Sequence, residues 1–357
     1  MTAHGGDQSA YVRAAFGAKN RSRLIDLYFG SADGQGARGW WEHVYRLLMW
    51  TDQTTGLAHC YESDKSQPGK HWYGRTLAFH EWLSGELDVA PSALAGEIDW
   101  LFRRATSDLA AEVLRTERAR LVAAERQRQP FLGKGMPKPG EDPGLIGVVR
   151  EVLGSHLADE VPSEVWQLLV QRVRQYLNLE NKRRNLVGEG FEDVVSSVIR
   201  RCVDAERLEV RTRSLLHDLP GFNRARSGDK PNKVDIALLR PDRGFRTLIT
   251  AKWSLRADRE KQFASEYAEY VTSESDRRPF EYVFVTNEFD PARLMRACEA
   301  LAANALMFTR VVHINPAALR ATYGAVPEER SMSRVIEYIE SGRLIGLDRW
   351  LEMISIQ

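Results

Sequence analysis

From residue 186 onward, short apolar runs rich in β-branched residues alternate with longer runs whose apolar residues have helical spacing. The strands are predicted at 208–216, 234–239, 246–251, 282–286 and 310–314, and the helices at 188–205, 258–273, 291–303 and 331–354. Strands interleaved with helices require a sheet whose faces the helices cover. We therefore predict an α/β (α+β) fold built around a mixed sheet.

The N-terminal part of the chain has a different pattern. Residues 1–128 are predicted to form a mainly helical domain, with an aromatic-rich helix at 40–50 and a long helix at 92–128. Residues 129–143 contain four prolines and three glycines, and we interpret them as a linker. The second domain is then 144–357, and it opens with helices at about 144–158 and 162–180.

Net charge, cysteine content and the lack of long apolar runs limit what the protein can bind and where it is expected in the cell. The 357 residues carry a formal net charge of +1, so no overall basic field favours nucleic acid, although a cleft can be basic in a neutral protein. Three widely spaced cysteines favour neither a disulfide framework nor a structural zinc site, and they fit a reducing cytoplasm. No run approaches the length of an apolar membrane span, and residues 1–10 contain no apolar signal core, so no membrane association is expected.

A zinc site in the N-terminal region is also disfavoured. The spacing of the potential ligands there fits no standard site, and scattered core or surface positions are favoured for His59, Cys60, His71 and His80.

One acid and one lysine are placed to act together on a phosphodiester. Asp235 lies at the start of one predicted strand, and Lys252 lies at the end of the next, seventeen residues later. A hairpin would bring the two side chains to one edge of the sheet. Phosphodiester hydrolysis uses carboxylates to hold a hard divalent cation and a positive group to orient water and stabilise charge. Taken separately, a loop acid and a surface lysine would be the favoured interpretations.

The residues after the lysine can recognise base pairs. Arg256, Asp258 and Arg259 follow Lys252 at offsets of four, six and seven. Arginine donates to guanine O6 and N7, and aspartate accepts from cytosine N4, so this set suits two adjacent G·C pairs. The alternative is a solvated charge cluster at the start of a helix. If the helix runs on to Glu266, Arg259 and Glu266 share a face about 10 Å apart.

The pair Asp235 and Lys252 resembles the PD-(D/E)XK nuclease superfamily, with one departure. The superfamily carries an acid two residues before the lysine, where this chain has Thr250. Glu266, fourteen residues after the lysine, can replace that acid from the following helix. This relocated acid, together with the arginine and aspartate offsets, resembles the CCGG-recognising branch of type II restriction endonucleases over about residues 186–290.

The resemblance implies a restriction-endonuclease-like mixed sheet flanked by helices, and a role for each site residue. Asp235 and Glu266 would bind Mg²⁺ with Glu192 assisting, and Lys252 would position and polarise the attacking water. The acid upstream of Asp235 corresponds best to Glu192, and Glu189 is the competing candidate. The alternative is that this acidic charge only complements the dipole at the N-terminus of the helix.

Some nearby residues are assigned lesser roles. Arg224 and Arg226 lie in a basic loop and could contact backbone phosphates. Trp253 is expected in the core, and Asn287 is expected to shape a turn.

The implied activity is Mg²⁺-dependent double-strand cleavage of DNA at a palindromic site with a CCGG core. The resemblance further implies a homodimer or larger assembly, a bacterial cytoplasmic location, and a cognate methyltransferase encoded genetically rather than bound as a subunit. Two alternatives remain open. One is a nuclease of the same fold with looser specificity in repair or phage defence, and the other is a non-catalytic, sequence-specific DNA-binding protein.

Overall fold

The structure is a computed structural model that describes residues 15–52, 56–58, 66–70, 72–134, 142–157, 161–223, 232–240, 244–255, 259–324 and 329–356. The elements up to residue 202 are α1 (Ala18–Gly30), α2 (Trp40–Leu48), β1 (Trp50–Asp52), β2 (Gly56–Ala58), α3 (Tyr73–Glu86), α4 (Leu94–Glu97), α5 (Trp100–Arg128), α6 (Pro143–Leu153) and α7 (Ser163–Cys202). The elements that follow are β3 (Glu209–Leu215), β4 (Lys233–Arg240), β5 (Phe245–Lys252), α8 (Arg259–Ser273), β6 (Glu281–Thr286), α9 (Pro291–Glu299), β7 (Leu301–Ala302), β8 (Ala305–Leu306), β9 (Arg310–His313), α10 (Pro316–Gly324), α11 (Arg330–Glu340), β10 (Leu344–Gly346) and α12 (Leu347–Ile356).

A mixed sheet of six strands organises the C-terminal part of the chain. Its strand order is β10-β9-β6-β5-β4-β3. The strands β3, β4 and β5 pair antiparallel, and β5, β6, β9 and β10 pair parallel. The middle strands are apolar and buried, as in the run Val283–Val285 of β6. The predicted α+β class is therefore confirmed, together with a helical N-terminal region.

Internal contacts divide the chain into two compact units. The first comprises residues 1–21 and 103–186, and the second comprises residues 22–102 and 187–357. In the first unit, polar contacts join helices that are distant in sequence, such as the hydrogen bond of 3.0 Å from Asn20 Nδ2 to Asp108 Oδ2. Polar side chains also cap its helices, since Asp142 accepts from the backbone N–H of Leu145 at 3.1 Å.

The second unit combines N-terminal helices with the sheet. The Phe79 and Phe289 rings lie 4.7 Å apart, and the Tyr45 hydroxyl donates to Asn287 Oδ1 at 2.8 Å. These long-range contacts group α2 and α3 with residues of the C-terminal region. The two units therefore do not divide at 129–143, where the sequence predicts the domain boundary. The reason is that residues 22–102 pack against residues that lie far along the chain.

Several predicted helices differ from the elements that form. The tail predicted to be helical at 331–354 is interrupted, because a turn with Gly342 at φ +71° separates α11 from β10 and α12. The helix predicted at 291–303 ends at Glu299, and a short β7–β8 hairpin follows. The helices predicted at 162–180 and 188–205 form one continuous helix, α7.

Within the described ranges, no helix has both the length and the apolar composition needed to cross a bilayer.

Candidate functional site

The hairpin of β4 and β5 brings Asp235 and Lys252 into contact. Ile236 pairs with Ile249, so Asp235 lies beside Thr250 at the end of the hairpin. Lys252 is the last residue of β5, and its Nζ lies 2.6 Å from Asp235 Oδ2. Their side chains are only 21% and 18% exposed, so water screens this pair less than it screens a surface ion pair.

Of the two carboxylate oxygens of Asp235, Oδ2 accepts the hydrogen bonds and Oδ1 is left for a ligand. Oδ2 also accepts from the backbone N–H of Ala251 at 2.9 Å and from the Thr250 hydroxyl at 3.2 Å. In the part of the chain that the structure describes, Oδ1 accepts no hydrogen bond. The carboxylate is therefore fixed in orientation with an oxygen left to bind a ligand.

Helix α7 contributes a second carboxylate, Glu192. The preceding residue, Phe191, is buried and packs edge-on against Trp253 with ring centroids 5.4 Å apart, which fixes the helix against the end of β5. Glu192 Oε1 then lies 3.7 Å from Lys252 Nζ. Burial, together with the charge of Asp235, raises the pKa of Glu192 to about 7, against the opposing charges of Lys252 and Arg213.

Helix α8 contributes a third carboxylate, Glu266. Its Oε1 accepts from Gln262 Nε2 at 2.6 Å, and its Oε2 accepts from the Tyr282 hydroxyl at 3.2 Å. Burial raises the pKa of Glu266, the hydrogen bond from Gln262 opposes the rise, and the charge of Asp235 adds to it. The charge of Asp235 therefore acts on both of the other acids.

Arg213 is a site residue that the sequence did not single out. It lies in β3 with φ +52°, a left-handed conformation that costs a non-glycine residue about 1–2 kcal/mol. Its Nε lies 2.7 Å from Glu192 Oε2, and its Nη1 lies 2.7 Å from Asp193 Oδ1. Its Nη2 donates to the Glu189 carbonyl at 2.6 Å. Arg213 therefore joins β3 to α7 beside Glu192.

The same contacts separate the two candidates for the upstream acid. The Glu192 side chain lies beside Lys252, whereas Glu189 is exposed and meets Arg213 through its backbone carbonyl. The structure thus groups Glu192 with Asp235 and Lys252.

The three carboxylates fit Mg²⁺ in their donor chemistry. They supply hard oxygen ligands, and Oδ1 of Asp235 is open. A cation would offset the burial and the charge of Asp235, which raise the pKa values of Glu192 and Glu266. Among the side chains that the structure describes, no three His, Cys, Asp or Glu groups are already gathered as a metal-binding cluster.

The predicted base-reading residues are placed only in part. Arg256 and Asp258 lie outside the described residues. Arg259 is the first residue of α8, the helix that also carries Glu266, as predicted, while its side chain lies outside the description. The preceding residue in the described chain, Leu255, is buried.

The remaining predicted residues have the following positions. Arg224 and Arg226 lie outside the described residues, as do His59, Cys60 and His71. The His80 ring lies 3.0 Å from the Pro91 carbonyl. Trp253 is buried, which confirms its expected core position, and Asn287 is fully buried at the end of β6.

Comparisons with known proteins gave no match to this chain, either among models of protein families or among curated proteins.

Proposed function

We propose that this chain is a Mg²⁺-dependent type II restriction endonuclease that cuts both strands of DNA at a palindromic site with a CCGG core. The observation that carries the proposal is the contact of Lys252 with Asp235, beside Glu192 and within the electrostatic influence of Glu266. A half-buried lysine among three acids at the end of a β-hairpin is an unfavourable arrangement for stability alone, because desolvated charges are costly.

Each site residue has a distinct role in the proposed hydrolysis. Asp235, through Oδ1, and Glu266 would hold the cation, with Glu192 assisting. Bound Mg²⁺ would supply Lewis-acid stabilisation of the phosphate and a water of lowered pKa. Lys252 Nζ would donate to the attacking water and orient it toward the phosphorus.

Specificity would come from the segment that follows Lys252. Arg256 and Arg259 would donate to guanines, and Asp258 would accept from cytosines in the major groove. A two-fold homodimer would place two copies of this set on a palindrome, which supports a homodimer or larger assembly as part of the proposal. The proposal also includes the bacterial cytoplasm as its location and a separately encoded methyltransferase that protects host DNA.

Plasmid digestion tests the proposal. Wild-type protein with Mg²⁺ should produce discrete ends, each at a CCGG core, and Asp235→Ala should lower the cleavage rate by about 10²–10³-fold or more. Asp218→Ala is the matched control, because Asp218 is exposed and pairs only with its neighbour His217 among the described ion pairs.

Each other outcome has a defined meaning. An intact plasmid, or ends at sites that lack CCGG, would overturn the proposal. Scattered ends would instead identify a nuclease of loose specificity. Binding to CCGG duplexes without cleavage in Mg²⁺ or Mn²⁺ would identify a non-catalytic DNA-binding protein.

A further inference from the structure

A further carboxylate, that of Glu288, is buried near the site without belonging to it. Glu288 follows β6, and its side chain is fully buried. Its Oε1 accepts from the backbone N–H groups of Phe289 at 2.9 Å and Asp290 at 2.8 Å. Its Oε2 accepts from the backbone N–H of Leu255 at 2.6 Å. Burying a carboxylate is costly unless its hydrogen bonds are satisfied, so this one serves to hold backbone groups in place.

Leu255 is held from both sides. Arg293 Nη1 donates to the Leu255 carbonyl and also lies 3.6 Å from Glu288 Oε2. Arg293 is itself positioned by helix α9, because the capping residue Asp290 accepts from its backbone N–H at 3.1 Å. Glu288 and Arg293 therefore bind the N–H and the carbonyl of a single residue.

The segment between Lys252 and Leu255 is also anchored upstream. The Trp253 carbonyl accepts from the backbone N–H of Asn287 at 3.0 Å and from the Thr286 hydroxyl at 3.4 Å. The two anchored residues, Trp253 and Leu255, lie between Lys252 and Arg256. The connection from β6 to α9 therefore fixes the path of the chain from Lys252 to Leu255.

We propose that Glu288 and Arg293 are positioning residues that clamp Leu255 and thereby set the placement of the reading residues relative to Lys252. This inference rests on the proposed function. Recognition side chains must be held to about 0.5 Å, and a misplacement of about 1 Å can cost about 10²-fold in rate. Because only three residues separate Lys252 from Arg256, an anchor at Leu255 determines where the reading segment begins.

The clamp can be weakened at either end. Glu288→Gln keeps the shape of the side chain but replaces one acceptor oxygen with an amide NH₂ that opposes backbone N–H donors. Glu299→Gln is its matched control, because Glu299 ends α9, the helix that follows Glu288, and contacts Arg334 and Tyr338 instead. Arg293→Gln removes the contact with the Leu255 carbonyl, and its control is Arg296→Gln, an exposed position on the same helix.

The readout is kcat/KM on a duplex with CCGG and on the same duplex with one base pair changed. In both clamp variants the ratio of the two values should fall by about tenfold, while the altered duplex is cut at close to the wild-type rate. The control variants should keep the wild-type ratio. If Glu288→Gln does not fold by circular dichroism, Arg293→Gln carries the test.

Two results would overturn the inference alone: folded variants with wild-type discrimination, or variants that lose activity equally on both duplexes. A wild-type protein that does not cut CCGG would overturn the proposed function as well. The two failures are therefore distinguishable in one experiment.

Discussion

Replacing Glu192 with glutamine tests the electrostatics of the site without relying on catalysis. Burial and the charge of Asp235 raise the pKa of Glu192 from 4.5 to about 7 in the folded protein. That increase corresponds to about 3 kcal/mol in favour of the protonated form. Since the side chain is only 13% exposed, solvent screening reduces this figure little.

The sign of the effect on stability follows from proton binding. Below pH 4.5 the carboxyl group is protonated in the folded and the unfolded chain. Between pH 4.5 and about 7 the folded protein keeps a proton that the unfolded chain has lost, so the free energy of unfolding decreases as the pH rises. Glutamine is neutral throughout. The variant should therefore gain stability relative to wild type, by about 2 kcal/mol between pH 5 and pH 8.

The measurement is urea denaturation of both proteins in EDTA at pH 5, 6, 7 and 8. Glu206→Gln, at an exposed position, is the control, and it should stay within about 0.5 kcal/mol of wild type at every pH. A difference between Glu192→Gln and wild type that stays constant or shrinks as the pH rises would refute the reasoning.

Three further predictions concern Lys252 and Arg213. Lys252→Met should lower the cleavage rate by about 10²–10³-fold, because the group that orients water is lost, while gel-shift affinity for a CCGG duplex stays within about tenfold of wild type; loss of binding and cleavage together would contradict this. Arg213→Ala should lower the free energy of unfolding by about 3 kcal/mol, because Glu192 and Asp193 each lose an ion pair. Arg213→Gly should be less destabilising than Arg213→Ala by about 1 kcal/mol, because glycine accepts φ +52° without strain. Equal urea midpoints for the two Arg213 variants would contradict the strain argument.

The β4–β5 hairpin shows what local sequence pattern can predict. The two apolar runs are close in sequence, so pairing them costs little chain entropy, and Asp235 and Lys252 then meet at one end of the hairpin. The distance of 2.6 Å between Lys252 Nζ and Asp235 Oδ2 follows from that topology. Glu192 lies beside Lys252 because the apolar spacing of its helix buries Phe191 and turns the next residue toward β5.

Arg213 and Glu288 have structural roles that the local sequence pattern does not predict. Arg213 has a positive φ inside a strand, and the sequence cannot predict this, because a positive φ is usually indicated by glycine and this position is an arginine. Glu288 looks like an ordinary loop acid after β6, and only the folded chain brings the Leu255 N–H to it. The packing of Phe79 on Phe289 likewise joins residues that are far apart in sequence, so no local period predicts it.

Thr250 stands where the nuclease superfamily has an acid, and its contacts show what this position does instead. The residue is buried, and its hydroxyl donates to Asp235, so this position stabilises the neighbouring acid. Negative charge comes instead from Glu266 on α8, whose raised pKa includes the effect of Asp235. Because α8 begins at Arg259, one helix carries both the replacement acid and the end of the proposed reading segment. In the proposed nuclease, an acid at position 250 would hold the cation without any link to α8. With Glu266 as the proposed ligand, a shift of α8 on docking to the wrong base pairs would also displace that ligand, which would give a physical route from base recognition to cleavage.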